Sequence, residues 1–458
     1  MKKSVPWFLG ASALAFALSF SGHSSAAPFV TSVLLPYIGV MHTEAALQFE
    51  AAVEFDRAGG LSADDSVNQS AAREAIEAQL RYLFGPLQFD ADFDAAFVKS
   101  APKNDHQITG IAVRLKEGTE STLVASYRYT GTIGVNDGPS LTLPVRLPVR
   151  TEGFPALGGN KCTDRTYQSA GDYWYFWSPR RPGCTLVEGE SYRTIEGRIV
   201  RSLNTQSSYP EYERLADASG VITISAFFGI EKSSGSHHPE RVTNRDPSYW
   251  SARQYREARD QLVRGGYRRV ARTDRTDMPY FAENFEKTTA RAKIKVFMFY
   301  GETGLSDPNA SYFQRFYKTA VERNSVVLYH GHSGLGGNLH LSYLGRRLGS
   351  EIMVPRNRYQ MFMFDGCTSY PYYGSMYFNA KATAADPRGT KNLDILTNGV
   401  EGNFSSMARM NQVIIFAIDR WAIRGEKLTY QQILEQIRER GRNYLTGVNG
   451  DEDNPISP

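Results

Sequence analysis

The second half of the chain alternates short, continuously apolar runs with helix-forming segments. Two helical patterns stand between the runs, one opened by Asp246-Pro247-Ser248 and ended by Gly265-Gly266, the other over about 311–323. A strand that is apolar throughout is buried on both faces, and alternation with helices is typical of a parallel sheet covered on both sides. The pattern therefore predicts an α/β domain with a mostly parallel sheet. Its apolar runs lie at 221–228, 294–300, 325–329, 361–364 and 393–396.

The first half has a different pattern. Good helix formers over 71–80 end at Gly85-Pro86, and β-forming runs at 111–115 and 123–129 are separated by the turn residues 117–120. This region is predicted to be α+β or mostly β. The 458 residues suit two or three domains, and the polar stretch around 205 is the predicted boundary between this region and the α/β domain.

The predicted organisation has four parts. Residues 1–26 read as a secretory signal peptide, with Lys2-Lys3 ahead of an apolar stretch and small residues at the cut. An N-terminal domain over 27–205, the α/β domain over 206–445 and a frayed acidic tail over 446–458 follow. The mature protein is expected to be exported, periplasmic or extracellular. No later apolar run reaches the ~20 residues that span a bilayer, so no stable membrane insertion is expected after cleavage.

Composition adds one exclusion. The chain has 52 Lys+Arg against 48 Asp+Glu, a net charge of +4. Such a balance gives no indication of binding to nucleic acid or to a membrane surface, and no nucleic-acid partner is expected.

The three cysteines divide into two roles. Export permits disulfides, and Cys162 and Cys184 bracket a segment rich in aromatic and turn residues. A bond between them would close a loop of about twenty residues and contribute on the order of 3 kcal/mol. Cys367 is then left over, as a buried inert thiol, an intermolecular link or a reactive group.

Unusual residues follow two of the apolar runs. One run continues into His330-Gly331-His332-Ser333, and another continues into Asp365-Gly366-Cys367. Ligands of open α/β sheets bind outside the carboxyl ends of the strands. Neighbouring parallel strands would therefore bring a histidine and the remaining thiol together on one edge.

The order of residues along the chain excludes two classes of hydrolase. The eight histidines are at 23, 42, 106, 237, 238, 330, 332 and 340, so none follows Cys367. Papain-like enzymes place the nucleophile before the histidine, and α/β-hydrolases need a late histidine. The segment from Gly331 to Leu335 also lacks the last glycine of the G-x-S-x-G turn.

The remaining order, histidine before cysteine with each after an apolar strand, resembles the caspase-like cysteine peptidases. Tyr329-His330-Gly331-His332 is similar to the Y-x-G-H of metacaspases and gingipains, and Asp365-Gly366-Cys367 is similar to the D-x-C of metacaspases. The resemblance covers about residues 215–425. It implies a caspase-like α/β fold and an endopeptidase that acts on protein or peptide substrates.

Roles for individual residues follow from acyl-transfer chemistry and from the resemblance. Cys367 is the predicted nucleophile and His332 the predicted base, with His330 as the alternative because caspases read L-S-H-G. Backbone N–H groups of Gly331, Ser333 and Cys367 are candidate oxyanion donors. By resemblance, Asp365 with Gly366 would line a pocket for an Arg or Lys side chain; Asp365 is equally a turn residue at a strand end. No cofactor is required, and calcium is implied only by the resemblance.

Two other functions stay open at this stage. The same fold without activity would be an interaction module of the cell envelope. The cluster of His330 and His332 with His340 is also compatible with a zinc hydrolase.

Overall fold

A computed structural model describes most of the chain beyond the predicted signal peptide. Residues 34–458 form one compact unit. The signal sequence itself lies outside the described residues. Within the described part of the chain, none of the helices could span a bilayer. The described ranges are 37–39, 42–60, 62–89, 100–136, 141–155, 159–168, 175–201, 207–232, 234–273, 277–399, 402–441 and 446–456.

The N-terminal part builds an antiparallel sheet, with strands in the spatial order β3-β4-β2-β8-β5. Strands β6 and β7 form a separate pair. Cys162 and Cys184 form a disulfide next to this pair, so the predicted pairing of the two cysteines is confirmed. The α+β expectation for this region is therefore confirmed at the level of its elements. They are β1 (Tyr37–Gly39), β2 (His42–Asp56), α1 (Ser66–Leu80), α2 (Phe84–Phe89), β3 (Gln107–Leu115), β4 (Thr122–Asn136), β5 (Thr142–Pro148), β6 (Thr163–Gln168), β7 (Tyr175–Trp177) and β8 (Tyr192–Arg201).

The C-terminal part builds the larger sheet, with helices on both of its faces. The predicted helix over 311–323 is found at those residues, and the other predicted strands and helices are found within a few positions. The elements are α3 (Tyr212–Leu215), β9 (Val221–Gly229), α4 (Tyr249–Arg264), β10 (Arg268–Arg272), β11 (Tyr280–Thr288), β12 (Lys293–Gly301), α5 (Ser311–Arg323), β13 (Val326–His330), α6 (Leu341–Leu348), β14 (Gln360–Asp365), α7 (Ser369–Lys381), β15 (Leu393–Asn398), α8 (Met407–Arg424), α9 (Tyr430–Gly441) and β16 (Thr446–Asn449).

The centre of this sheet is parallel. Across the sheet the described strands follow the order β1-β16-β15-β14-β13-β9-β12-β11-β10. The five central strands β15, β14, β13, β9 and β12 run parallel to one another. Toward each edge the pairing is antiparallel, between β15, β16 and β1 on one side and between β12, β11 and β10 on the other. The prediction of a mostly parallel sheet covered by helices is thus confirmed for its core.

Alternate residues of the central strands build two separate cores. On β13, Val326 and Leu328 face α4, α8 and α9, whereas Val327 and Tyr329 face α5, α6 and α7. All four are fully buried. Because both faces need apolar side chains, these strands have no polar face, which is why their sequences are continuously apolar.

The chain end differs from the prediction. Thr446–Asn449 forms β16, which lies between β15 and β1, and Asp451 is buried. The expectation of a frayed acidic tail is therefore wrong for residues 446–456. Pairing with two strands orders a segment whose own composition predicts a tail.

Candidate active site

Three neighbouring strands end at the same edge of the larger sheet. Strand β13 ends at His330, which lies opposite Asp365 at the end of β14. Strand β15, on the other side of β14, ends at Asn398. Since the three strands are parallel, the residues that follow them meet at one edge.

The side chains at these three strand ends form a buried hydrogen-bonded chain. Nδ1 of His330 donates to Oδ2 of Asp365 over 2.9 Å, and Nδ2 of Asn398 donates to Oδ1 of Asp365 over 2.7 Å. The His330 ring also packs against Phe228, with 5.1 Å between ring centroids. His330 has no exposed surface, and its Nε2 is buried without a hydrogen bond among the described residues. His330 therefore faces the core rather than a substrate.

Asp365 is buried rather than open to solvent. Only 3% of its surface is exposed, and both of its oxygens accept hydrogen bonds from neighbouring strand ends. The carboxylate that was predicted to contact a basic substrate side chain thus accepts hydrogen bonds within the fold instead. The alternative interpretation, a structural aspartate at a strand end, fits the geometry.

His332 lies two residues further along and is exposed. Its Nε2 lies 2.8 Å from the backbone oxygen of Glu231, in the segment that follows β9. A carbonyl oxygen only accepts hydrogen bonds, so Nε2 carries the proton and Nδ1 of the neutral ring keeps its lone pair. The ring therefore offers Nδ1 as a base.

The backbone around His332 is fixed by buried side chains. The hydroxyl of Tyr329 and Nδ2 of Asn338 both donate to the carbonyl oxygen of His332, over 2.5 and 2.7 Å. The hydroxyl of Tyr373 donates to the carbonyl oxygen of Ser333 over 2.9 Å. These contacts fix the backbone that carries the imidazole and do not involve its ring nitrogens.

Cys367 lies in the turn between β14 and α7, and its side chain is partly exposed. The backbone N–H of Gly402 donates to its Sγ over 3.4 Å. The hydroxyl of Ser333 donates to its carbonyl oxygen over 2.5 Å. The helix that begins at Ser369 directs its positive end toward this turn, which favours a negative charge there.

The turn itself is anchored on both sides of Cys367. The Ser369 hydroxyl donates to the carbonyl oxygen of Phe364 over 2.5 Å and accepts from the backbone N–H of Asn398 over 2.8 Å. Asn398 also binds Asp365, two residues before the cysteine. One asparagine thus holds both flanks of the turn.

His332 and Cys367 border the same segment after β15. The ring of Phe404 packs against His332, with 4.9 Å between centroids, and Gly402 contacts the cysteine sulfur. Ser333 links the two loops through its bond to the cysteine backbone. The structure therefore brings His332, Ser333 and Cys367 to one partly exposed edge.

Two predicted glycines have structural roles. The N–H of Gly331 donates to the carbonyl oxygen of Asp365, so it is not available as an oxyanion donor. A Cβ on Gly366 would lie 2.5 Å from Oγ of Ser333, so glycine is needed there by the packing of the two loops. Neither glycine supports the role that sequence reasoning gave it. Ser333 and Cys367 remain as candidate donors.

His340, the third histidine of the possible zinc cluster, has different contacts from those of His330 and His332. The ring of His340 stacks on Tyr343, with 4.0 Å between centroids. In the described part of the chain, no group of three or more His, Cys, Asp or Glu side chains could hold a metal ion.

Sequence reasoning missed Glu231, Asn398, Gly402 and Phe404. Glu231 and Asn398 lie at or just after the carboxyl ends of β9 and β15, two strands that were predicted correctly. The rule that ligands bind at carboxyl strand ends would have directed attention to these segments. No feature of their own sequence marks them. In comparisons with known proteins, no family model and no curated protein matches the chain.

Proposed function

We propose that this protein is an exported cysteine endopeptidase of the caspase-like type, which hydrolyses peptide bonds through a thioester on Cys367. Its location is periplasmic or extracellular, with which the Cys162–Cys184 disulfide is compatible. The observation that carries the proposal is that an anchored cysteine and a proton-accepting imidazole both contact residues 402–404, at one edge of the sheet.

The first half of the reaction uses both side chains. Nδ1 of His332 takes the thiol proton of Cys367. The resulting thiolate attacks the carbonyl carbon, a C–S bond forms, and the carbonyl electron pair moves to oxygen. When the tetrahedral intermediate collapses, the C–N bond breaks and His332, protonated at Nδ1, gives that proton to the leaving amine. The bond from Nε2 to Glu231 holds the ring in the required orientation.

The second half releases the acid. Water attacks the thioester, Nδ1 of His332 accepts its proton, and Cys367 leaves as the thiolate. General acid–base catalysis of this kind contributes about 10²–10⁴ in rate. The backbone N–H groups of Ser333 and Cys367 are the proposed oxyanion donors; one such donor is typically worth about 3 kcal/mol.

The test is labelling by a tripeptidyl acyloxymethyl ketone, followed by intact mass measurement. We expect one adduct per chain, mapped to Cys367 and lost in Cys367→Ala, because the other two cysteines are joined in a disulfide. Cys367→Ala is also expected to abolish cleavage of β-casein.

Three outcomes would overturn the proposal. A Cys367→Ala variant that still cleaves casein would require another nucleophile. A wild-type protein that neither reacts nor cleaves would favour the inactive interaction module. One tightly held zinc in the purified protein, with activity lost on chelation, would favour the metal hydrolase.

A further inference from the structure

Two residues other than glycine have a positive φ in the described part of the chain, and both belong to the candidate active site. They are Leu335, with φ 53°, and Thr368, with φ 52°. Leu335 follows His332 by three residues, and Thr368 directly follows Cys367. Strained backbone of this kind concentrates at functional sites.

Leucine is an unfavourable residue for this conformation. In the left-handed region its Cβ crowds the following carbonyl oxygen, and only glycine, with some asparagine and aspartate, adopts the region routinely. The two neighbours, Gly334 and Gly336, have φ of 55° and 84°. Glycine at 335 would therefore complete the same loop without strain.

The loop holds this conformation rigidly. Nδ2 of Asn338 donates to the carbonyl oxygen of His332, while its Oδ1 accepts from the backbone N–H of Leu305 over 2.9 Å. The N–H of Asn338 donates to the carbonyl oxygen of Ser333, and that of Gly337 to Gly334. A Cβ on Gly334 would lie 2.4 Å from Asn338, so the loop is packed closely on this side chain.

The leucine side chain gains little within its own chain. It is 61% exposed, although its backbone is strained. Two further apolar side chains, Leu305 and Tyr343, lie beside Gly337 of the same loop, where a Cβ would meet them at 3.7 and 4.0 Å. Tyr343 is itself 40% exposed. The loop thus presents an apolar side chain to solvent in a fixed position.

That position is within reach of a substrate bound at Cys367. Ser333 contacts the cysteine backbone directly, and Leu335 is two residues further on. Two residues span at most about 7 Å, which is also the length of two residues of an extended peptide. This spacing allows Leu335 to meet a side chain beside the cleaved bond.

We propose that Leu335 determines specificity, by contacting an apolar side chain of the peptide substrate next to the bond that Cys367 cleaves. The inference rests on the proposed peptidase function. The strain at Leu335 is offset when substrate covers its side chain, and the preferred substrates are peptides with a Leu-like residue near the cleaved bond.

The experiment uses Leu335→Asn and Leu335→Gly, because both residues tolerate positive φ. The control is Leu141→Asn, which changes a 64% exposed leucine in the N-terminal part. A bond cleaved in β-casein is identified by mass spectrometry, and an internally quenched peptide is built on it. Leu or Ser is then placed at each of the two positions on either side of the bond.

We expect wild type to prefer Leu at one of these positions. Both Leu335 variants should raise KM for that peptide by about tenfold and lose the preference, with kcat little changed. Their Tm should rise by about 1–3 °C, because strain is removed and most of the lost side-chain surface is already exposed. The alkylation rate of Cys367 by iodoacetamide should stay that of wild type, as should every property of Leu141→Asn.

An unchanged KM and an unchanged Leu preference in both variants would overturn the role of Leu335 while leaving the peptidase intact. A lower Tm together with slower alkylation would show that Leu335 supports the loop instead. A wild-type protein that cuts no peptide would remove the proposed function, and this inference with it.

Discussion

His330 and His332 are two positions apart but have opposite environments. His330 is fully buried and donates to Asp365, whereas His332 is exposed and has Nε2 bound to the carbonyl oxygen of Glu231. Positions two apart on a strand face the same side, but β13 ends at His330, so the alternation does not extend to His332. Their surroundings, rather than the alternation, separate a structural imidazole from a candidate base.

Alanine substitutions should separate these roles. His332→Ala should lower kcat for peptide cleavage by about 10²–10⁴, because the proton acceptor is lost, and leave the urea midpoint unchanged. His330→Ala should lower the free energy of unfolding by about 1–3 kcal/mol, because Oδ2 of Asp365 loses its donor in a buried site. Urea titration and peptide hydrolysis are measured on both variants.

The reverse result, a stable but inactive His330→Ala beside an active His332→Ala, would assign the base to His330. Sequence alone left that choice open. The motif Tyr329-His330-Gly331-His332 fits two registers, and only the partners of each ring distinguish them. Those partners are Asp365, at the end of β14, and Glu231, in the segment after β9, so the distinction depends on tertiary contacts.

At the scale of elements, the turn from β14 to α7 depends on Asn398. Its Nδ2 binds Asp365 and its backbone N–H binds Ser369, so it joins both flanks of the turn that carries Cys367.

Asn398→Ala should therefore reduce the free energy of unfolding by about 1–3 kcal/mol, since Oδ1 of Asp365 keeps no donor from β15. The rate of Cys367 alkylation by iodoacetamide should differ from that of wild type, because the turn that carries the cysteine is looser. The matched control is Asn392→Ala, whose amide donates to the carbonyl oxygen of Arg356 at a more exposed position. Equal stabilities for the two variants would contradict the anchoring role.

Elements whose own residues bury apolar surface were predictable, and elements ordered by their partners were not. Strands β13 and β14 are continuously apolar, and α5 carries an apolar stripe, so each is evident from sequence. Strand β16 is the short segment Thr-Gly-Val-Asn, which has no such pattern. It is a strand because β15 and β1 pair with it.

At the scale of the whole molecule, a buried acid joins the two parts of the chain. Oε1 of Glu44, in β2, forms an ion pair with Nζ of Lys103 at 2.5 Å. It also accepts hydrogen bonds from the hydroxyl of Tyr370 over 2.7 Å and from Nδ2 of Asn449 over 3.2 Å. Tyr370 belongs to α7, and Asn449 to β16. The N-terminal part is thus bonded to the helix that begins beside Cys367.

Glu44→Gln should cost about 3–5 kcal/mol of unfolding free energy, because it leaves the buried ammonium of Lys103 without a counter-charge. Adding Lys103→Met should recover part of that loss. The control is Glu50→Gln, which breaks an exposed pair with Arg128 and should cost at most about 1 kcal/mol. Additive losses in the double variant would show that the pair is not coupled.

A second buried acid makes the stability of the molecule depend on pH. Oδ2 of Asp394 accepts from the hydroxyls of Tyr359 and Tyr430 and from Nδ2 of Asn454, which ties α9 and the chain end to β15. Burial raises the pKa of Asp394 from 3.8 to about 7, and burial raises that of Asp451 to about 8. Both acids therefore keep their protons in the folded protein at pH values where the unfolded chain has lost them.

The sign of the effect follows from proton binding. Between pH 4 and 7 the folded state holds more protons than the unfolded state, so stability is greatest below pH 4 for these groups and falls as pH rises. One such group contributes a slope of at most ~1.4 kcal/mol per pH unit. Burial lowers the pKa of Lys381 from 10.5 to about 7, so this group changes the pH dependence of stability only above pH 7.

Asp394→Asn should make the decline in unfolding free energy between pH 4 and 7 shallower, measured by urea titration at each pH. Parallel curves for the variant and the wild type would mean that Asp394 is ionised in the folded protein throughout this range.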